Sequence, residues 1–225
     1  MHDISHPITI IWPMKDEIKI ISFDVEGTLV TTDFSYAIWF ELIPGRYAQK
    51  HGLTLPDAVA KVKEEYGKVG DQRLEWYDAQ FWFNHFGFGQ ADIAMEELQP
   101  RVSYYHDTDE GLKLLGQGYK LNVASGSPRP FLKHLLRDIE HHFHSIFSSV
   151  SDYKKVKKAD FYQQMCHELG VEPGQVVHVG DNYQFDVIEP ASIGINAFYL
   201  DREGLVKDKA TVRNLQQFAE LVRLM

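Results

Sequence analysis

The sequence predicts an α/β fold: a doubly wound parallel sheet in a Rossmann-like core, with an inserted helical domain. Short apolar runs alternate with amphipathic stretches, which is typical of parallel strands joined by helices. Two of the runs end next to a glycine and an aspartate, and the carboxyl ends of parallel strands are where such sheets bind ligands. Between the first and second strands, residues 34–105 show helical periodicity and many aromatic side chains, so we expect an insertion there.

Composition limits the possible partners of the chain. Its 225 residues are enough for one such domain and a smaller insertion. The 23 basic and 32 acidic side chains give a net charge of −9, which argues against a nucleic-acid partner. No apolar run approaches the length of a membrane span, so we expect no membrane partner. The single cysteine, Cys166, excludes an internal disulfide and fits a reducing cytoplasm; we interpret it as a buried structural thiol.

The first predicted strand carries the most informative stretch, IKIISFDVEGTLV, from Ile18 to Val30. Its apolar run ends at Asp24, and Gly27 and Thr28 follow in a predicted turn whose backbone N–H groups can converge on an anion. A carboxylate beside a bound phosphate implies a cation between the two like charges. We therefore expect further carboxylates nearby to hold that cation.

The stretch FDVEGTLV resembles the first motif of the haloacid dehalogenase-like (HAD) hydrolase superfamily, Asp-x-Asp-Gly-Thr. Here Glu26 replaces the second aspartate, a departure that resembles the enolase-phosphatase branch. The resemblance covers roughly residues 18–33 and 106–201. It implies a HAD-like core domain from residues 1–33 and 106–225, and a helical cap domain of the C1 type from residues 34–105.

The predicted cap begins after a hairpin or tight turn at Thr31–Asp33. Its helices are predicted at Asp57–Val69, Gln72–Phe86 and Ala91–Leu98. We interpret four aromatic side chains there as cap core in preference to substrate contacts: Trp76, Tyr77, Trp82 and His85. Arg46 follows Pro44-Gly45 in a predicted turn and is a candidate for binding a substrate anion, with a solvated surface arginine as the alternative.

The remaining elements alternate as the fold requires. Helices are predicted at Asp107–Gln117, Pro128–Asp138, Ala159–Leu169 and Asn214–Leu224, and strands at Tyr119–Ala124, Ser145–Val150, Val176–Val179 and Asn196–Asp201. Asn214 and Gln217 predict a capping box. Near the N-terminus, Met14 is a hypothetical alternative start, or Ile8–Trp12 forms an added edge strand. His141, His142 and His144 are interpreted as a hydrated surface cluster and not a zinc site.

The later motifs of the superfamily follow in order. The second, a serine at a strand end, is Ser125, with the Gly126 N–H as a further phosphate ligand and Ser127 as the alternative serine. The third is a lysine near a helix start. Lys158 is preferred to Lys157, although the usual Lys-Pro pair is absent.

The fourth motif, Gly-Asp-x-x-x-x-Asp, matches Gly180, Asp181 and Asp186. Mg²⁺ takes oxygen ligands and keeps several waters. The resemblance implies Asp24, Glu26 through its backbone carbonyl, and Asp181 as direct ligands. Asp186 is expected to bind through water or to fix Lys158.

The function that the resemblance implies is a Mg²⁺-dependent phosphatase acting on a small phosphorylated metabolite. Asp24 would be the nucleophile and form an aspartyl-phosphate, Glu26 the acid and base, and Ser125 and Lys158 the ligands of the transferring group. The chain is expected to be a cytoplasmic monomer or homodimer. The alternatives are a dehalogenase, a phosphomutase, a phosphonate hydrolase using Lys61 or Lys63, or a non-catalytic phosphate-binding module.

Overall fold

Six parallel strands form one sheet in the computed structural model, which describes residues 18–70, 72–206 and 210–225. The strands are β1 (Ile20–Phe23), β2 (Lys120–Ser125), β3 (Ser145–Ser148), β4 (Val176–Gly180), β5 (Asn196–Leu200) and β6 (Thr211–Val212). Their order is β3-β2-β1-β4-β5-β6, and every pair is parallel. The strand order reverses at β1, with β2 and β3 on one side of it and β4, β5 and β6 on the other. The crevice at such a reversal is the usual ligand site of open α/β sheets.

The central strand β1 is buried on both faces. Ile21 and Phe23 belong to the larger hydrophobic cluster on one face of the sheet, and Ile20 belongs to a second cluster on the other face. Continuous apolar runs are typical of parallel strands covered by helices on both sides. The predicted fold class is therefore confirmed.

Eleven α-helices occur in the described part of the chain. They are α1 (Asp33–Tyr36), α2 (Ile43–His51), α3 (Leu55–Val69), α4 (Ala79–Phe86), α5 (Ala91–Glu97), α6 (Thr108–Gly116), α7 (Arg129–Leu135), α8 (Ser149–Tyr153), α9 (Ala159–Leu169), α10 (Glu189–Ala191) and α11 (Leu215–Leu224). Two π-helical turns lie at Ala37–Leu42 and Tyr183–Ile188, and 3₁₀ turns at Leu74–Tyr77, Gln99–Arg101, Glu140–His142 and Pro173–Gln175.

The helical segment between β1 and β2 leaves and re-enters the sheet at one place. Val30 forms an antiparallel bridge with Tyr104, and the Thr31 N–H donates to the Ser103 carbonyl at 2.8 Å. The chain therefore turns directly into α1 after Thr31 and does not form a hairpin. The predicted boundaries at residues 33 and 106 lie two to three residues from this crossing. The division into core and cap domains stays a prediction.

Local capping explains where the sequence predictions succeeded and failed. Helix α9 has the predicted bounds and ends at Gly170, which is left-handed with φ +64°. The strand predicted to reach Val150 stops at Ser148, because its hydroxyl caps α8 by accepting the Ser151 N–H. The helix predicted over 72–86 is divided at Asp78, which caps α4.

Other boundaries are also shorter than predicted. The helix after Pro128 ends at Leu135 instead of Asp138. Asn214 caps α11 as predicted, but the Gln217 side chain accepts the N–H of Arg213 and not that of Asn214, so the capping box is incomplete. Met14 and the predicted edge strand Ile8–Trp12 lie outside the described residues. Of the helices described, none has both the length and the apolar character needed to span a membrane.

Candidate active site

Three carboxylates meet at the carboxyl ends of β1 and β4. Asp24 follows β1, Asp181 follows β4, and Asp186 lies on the π-helical turn after β4. The Asp24 N–H donates to the Val179 carbonyl at 2.9 Å, so the hydrogen bonding between the two strands continues to the site. Oxygens of all three carboxylates lie within 4.8 Å of one another. Pairing of two strands thus assembles residues that are about 160 positions apart.

The lysine of this site is Lys157. Its Nζ lies 2.6 Å from Asp24 Oδ1 and also bonds Asp186 Oδ1, and the residue is only 4% exposed. The preference for Lys158 is wrong, because Lys158 has extended backbone at the N-terminus of α9 and its side chain is exposed. The side chain that enters the site therefore belongs to the residue one position earlier.

Both oxygens of Asp186 accept hydrogen bonds, and the residue holds the lysine in place. Besides Lys157, its Oδ1 accepts from His178 Nε2 at 3.2 Å, and its Oδ2 accepts from the Asn182 N–H at 2.9 Å. Burial opposes ionisation of this carboxyl, but Lys157 and His178 outweigh it and hold the pKa of Asp186 well below its usual range. Its partners favour the second predicted role of Asp186, fixing the lysine, with Lys157 in place of Lys158.

The environments of Asp24 and Asp181 raise the pKa of both carboxyl groups. Burial and the nearby carboxylates raise the pKa of Asp24 well above its usual value, although Lys157 opposes this. Loss of hydration, together with Asp186, raises the pKa of Asp181 to about 6, even though part of that residue remains exposed. Only one ammonium group faces three carboxylates, so the described cluster lacks positive charge. A hard divalent cation such as Mg²⁺ fits this set of oxygen donors.

Glu26 is held by two serine hydroxyls from different parts of the chain. Ser127, after β2, donates to Glu26 Oε2 at 2.6 Å, and Ser35, on α1, donates to Oε1. Burial raises the pKa of Glu26 even though both hydrogen bonds favour the ionised form. Burial thus outweighs two hydrogen bonds that fix the position of the carboxylate.

The turn after β1 does not form the predicted anion nest at Gly27 and Thr28. The Gly27 N–H donates to the Val30 carbonyl at 2.8 Å and the Thr28 N–H to the Val25 carbonyl at 3.3 Å. These groups are therefore consumed inside the turn. Gly27 has φ +78°, and a Cβ there would overlap the Asp181 carboxylate. Because glycine has no Cβ, the turn can approach the Asp181 carboxylate closely at this position.

The structure brings Ser125 and Gly126 to the site but leaves Arg46 elsewhere. Ser125, at the end of β2, is 1% exposed, and its Oγ accepts the Ser127 N–H at 3.0 Å. Both Ser125 and Gly126 line the same cavity as Asp24. Arg46 lies within α2 with its guanidinium 5.1 Å from the Phe83 ring and bonded to the Phe88 carbonyl, and it does not line this cavity. Its anion-binding role is not supported.

The carboxylates lie in a cavity of about 430 Å³ that is also lined by aromatic side chains. The aromatic side chains that line it are Trp39, Phe40, Tyr66, Trp76, Tyr77, Phe131 and Phe185. Trp76 packs against the larger hydrophobic cluster, in line with the core interpretation, and both Trp76 and Tyr77 also line the cavity. Trp82 is fully buried as expected. The core interpretation of His85 is wrong, because its side chain is exposed and lies 3.2 Å from Glu65.

Three further side chains at the site were not identified from the sequence. Tyr162 and His178 are buried beside Asp186, and Ser35 contacts Glu26. His178 Nδ1 lies 3.1 Å from Ser22 Oγ, and burial lowers its pKa, so a neutral ring with its proton on Nε2 satisfies both neighbours. A histidine inside the apolar run VVHVG was a sequence indication of this contact. Ser35 offered none.

The three histidines at 141–144 lie away from this cluster. His141 and His142 form part of the 3₁₀ turn after α7. The His142 side chain is only 11% exposed, and its Nε2 lies 3.5 Å from Asp109. It therefore differs from the expected hydrated surface histidine. Among the described residues, the one group of acidic, histidine or cysteine ligands close enough to share an ion is Asp24, Asp181 and Asp186.

Comparison with known proteins gives consistent relatives. A family model described as haloacid dehalogenase-like hydrolase matches residues 18–194. The GMP/IMP nucleotidase YrfG of Escherichia coli (strain K12) is 25% identical over 123 residues, which are 55% of this chain and 53% of that protein. The match thus spans about half the length of that relative. The haloacid dehalogenase-like hydrolase domain-containing protein 3 of Danio rerio is 27% identical over 217 residues, covering 84% of this chain and 88% of that protein.

Solved structures share the fold. The HAD phosphatase from Thermococcus onnurineus superposes with a TM-score of 0.80 at 23% identity, covering 91% of this chain and 98% of the other. The 2-haloacid dehalogenase from Pseudomonas syringae pv. Tomato DC3000 gives a TM-score of 0.70 at 19% identity, covering 92% and 100%. At these identities the likeness concerns the fold alone. It does not separate phosphatase from dehalogenase chemistry.

Proposed function

The chain belongs to the haloacid dehalogenase-like hydrolase family, and from that premise we propose that this hydrolase is a Mg²⁺-dependent phosphatase acting on a small phosphomonoester. The observation that carries the proposal is the position of Asp24. Its carboxylate is held by Lys157 at 2.6 Å, lies among two further carboxylates, and lines a cavity of about 430 Å³. Pockets for small molecules typically measure about 300–1,000 Å³.

Asp24 would supply the nucleophile. Lys157 bonds Oδ1, so the second carboxylate oxygen would attack phosphorus in line and form a P–O bond as the ester P–O bond breaks. Water would then attack the aspartyl-phosphate, breaking the bond to Asp24 and releasing inorganic phosphate. Lys157 stays between Asp24 and Asp186 and provides fixed positive charge for the phosphoryl oxygens.

Glu26 would move the protons. Its raised pKa and its two serine partners suit a carboxylic acid that protonates the leaving alkoxide. The resulting carboxylate then takes a proton from the attacking water. Ser35 and Ser127 would hold the side chain at its one-methylene greater length than the aspartate usual at this position.

Asp24 and Asp181 would hold the cation. Mg²⁺ bound there would supply charge that offsets the repulsion between the carboxylates and the phosphoryl oxygens. The Glu26 backbone carbonyl remains the predicted third protein ligand. Asp186 is less suited to direct ligation because both of its oxygens accept protein hydrogen bonds.

The same features weigh against the alternatives. A dehalogenase would direct Asp24 at carbon and needs no cation, so three clustered carboxylates would only repel its carboxylate substrates. Lys61 and Lys63, considered for a phosphonate hydrolase, do not line the cavity. A phosphomutase and a non-catalytic phosphate-binding module are left to experiment. The nucleotidase activity named for YrfG makes nucleoside monophosphates worth including among the substrates tested.

The proposal is tested by hydrolysis of para-nitrophenyl phosphate with Mg²⁺ and with EDTA. We expect turnover that requires Mg²⁺ and is lost in Asp24→Asn. Asp109→Asn is the matched control, since Asp109 is exposed and pairs with Lys113 away from the cavity. Metal-independent turnover of 2-chloropropionate would instead identify a dehalogenase. No phosphate release from a panel of small phosphomonoesters, including IMP, would reject the phosphatase.

A further inference from the structure

Four aromatic rings that line the active-site cavity contact one another in series. Trp39 stacks on Phe131 with ring centroids 5.5 Å apart and planes 9° apart, and it meets Tyr66 edge-on at 6.1 Å. Tyr66 in turn meets Trp76 at 5.9 Å. These four rings, with Phe40 and Tyr77, are called the aromatic wall. All but Phe131 come from the segment between β1 and β2.

The rings of the wall differ in exposure: Tyr66 and Phe131 are buried, whereas Phe40 is exposed. Phe40 lines the cavity and still leaves 40% of its surface accessible. A contiguous apolar surface of this kind in a concave site indicates a ligand. Aromatic faces and edges gain additional free energy from another aromatic ring beyond simple burial.

The described cavity has little provision for a second negative charge. Lys157 is the only cationic side chain among the described residues that line it, and its ammonium group already bonds Asp24 and Asp186. Glu26 and Asp181 add further negative charge. Outside that lining, the Lys63 ammonium lies 5.8 Å from the Phe40 ring. A leaving group with its own carboxylate or phosphate would therefore meet net negative charge inside the cavity, where the one cationic side chain of the lining is already engaged.

We infer that the substrate is a phosphomonoester whose leaving group carries a flat aromatic ring and no second anionic group. The phosphoryl end lies at the carboxylates and the ring lies against the aromatic wall. This inference rests on the proposed phosphatase for the identity of the reacting group, but the ring preference is a binding property and can be measured without turnover. Two sources share the chemistry: a simple aryl ester and a nucleoside monophosphate, whose base supplies the ring.

Binding of phosphonates, measured by titration calorimetry with Mg²⁺, tests the ring directly. Benzylphosphonate should bind about 3- to 10-fold more tightly than cyclohexylmethylphosphonate, which has a similar size but no aromatic ring. Phosphonoacetate, with a second anion, should bind more weakly than methylphosphonate. Phe40→Leu and Trp76→Leu should each remove most of the benzyl preference.

Tyr47→Leu provides the matched control. Tyr47 is an aromatic residue of the same segment that contacts His51 and Phe86 and does not line the cavity, so this variant should keep the preference. Equal binding of benzyl- and cyclohexylmethylphosphonate to the wild-type protein would overturn the inference, whether or not the protein hydrolyses phosphate esters. Benzyl preference without any turnover would support the ring preference of the cavity and reject the phosphatase, and with it the assignment of a phosphomonoester substrate. Where turnover occurs, kcat/KM for 1-naphthyl phosphate and for IMP distinguishes the two sources; both falling below ribose 5-phosphate would also overturn it.

Discussion

Lys157 and Lys158 are neighbours in sequence with opposite environments. Lys157 is 4% exposed and bridges two carboxylates, while Lys158 is exposed at the start of α9. The motif order predicts a lysine here but not which one, because the direction of each side chain depends on the extended backbone before the helix. Two adjacent residues on such backbone point to opposite sides.

Lys157→Met should abolish most activity, and Lys158→Met should not. Removing the buried ammonium leaves Asp24 and Asp186 uncompensated, so we expect a roughly 10²- to 10³-fold loss of kcat and about 3–5 kcal/mol lower stability. Lys158→Met should change stability by less than about 0.5 kcal/mol. Steady-state kinetics and urea unfolding measure both. Comparable losses in the two variants would contradict the assignment of Lys157.

Glu26 is the residue at which this chain departs from the superfamily motif, and its proposed role predicts dependence on the leaving group. Glu26→Gln should slow hydrolysis of an alkyl phosphate by roughly 10²- to 10⁴-fold, because a poor leaving group needs the proton. Para-nitrophenolate leaves without one, so that substrate should be much less affected. Presteady-state release of para-nitrophenol separates the first step from the second. An equal loss on both substrates would assign Glu26 to binding alone.

At the scale of elements, the turn after β1 helps to position the site because its backbone at Gly27 lies directly against the Asp181 side chain. A Cβ on Gly27 would overlap the Asp181 carboxylate, and one on Gly180 would overlap Asp186. Both glycines therefore allow the two strand ends to approach each other. Gly52, at the end of α2, has a similar φ of +64° but open space around it. A side chain at Gly52 would therefore cause backbone strain without steric overlap, and a comparison with Gly27 distinguishes the two effects.

Gly27→Ala should therefore be more damaging than Gly52→Ala. Backbone strain at a positive φ costs about 1 kcal/mol or somewhat more in both variants. Only Gly27→Ala also displaces Asp181, so we expect loss of Mg²⁺-dependent activity in this variant alone. Thermal unfolding and activity at several Mg²⁺ concentrations provide the comparison. If Gly52→Ala lost activity equally, the close approach at Gly27 would not be the cause.

Structural features that depend on nearby residues in the sequence could be predicted, whereas features that depend on packing between distant residues could not. Helix α9 was predicted to the residue because both of its ends are local in origin, with lysines before it and Gly170 after it. The π-helical turns at Ala37–Leu42 and Tyr183–Ile188 were not predicted, since their residues carry ordinary helical patterns. The contact of Ser35 with Glu26 was also missed, because it depends on how α1 packs against the end of β1.

At the scale of the whole molecule, sheet order makes the site predictable even where contacts are not. Motifs at the ends of β1, β2 and β4 had to converge because these strands are adjacent and parallel. The aromatic side of the cavity lacked such a rule. Trp76 and Tyr77 have the spacing of core residues, and only the folded segment shows that they reach the cavity.

The acidic cluster also predicts how stability depends on pH. The pKa of Asp181 is raised to about 6, so the folded protein binds this proton more tightly than the unfolded chain does. Stability then falls as pH rises from the ordinary aspartate range, near 4, through 6, because the unfolded chain releases the proton first. Asp181→Asn lacks this ionisation. Its Tm relative to the wild type, measured in EDTA, should therefore increase between pH 4 and 6.5 and level off above that range.

Adding Mg²⁺ should reverse the order of the melting temperatures of the wild type and Asp181→Asn. At pH 7, Mg²⁺ binding to Asp24 and Asp181 would stabilise the wild type by mass action, while Asp181→Asn has lost one ligand. We expect the wild-type Tm to rise with Mg²⁺ concentration and that of the variant to rise much less. Asp109→Asn, which changes an exposed aspartate paired with Lys113, controls for the loss of one negative charge.

For the pH dependence, the decisive quantity is the Tm difference between Asp181→Asn and the wild type in EDTA. If this difference stays constant from pH 4 to 7, Asp181 does not titrate in the raised range.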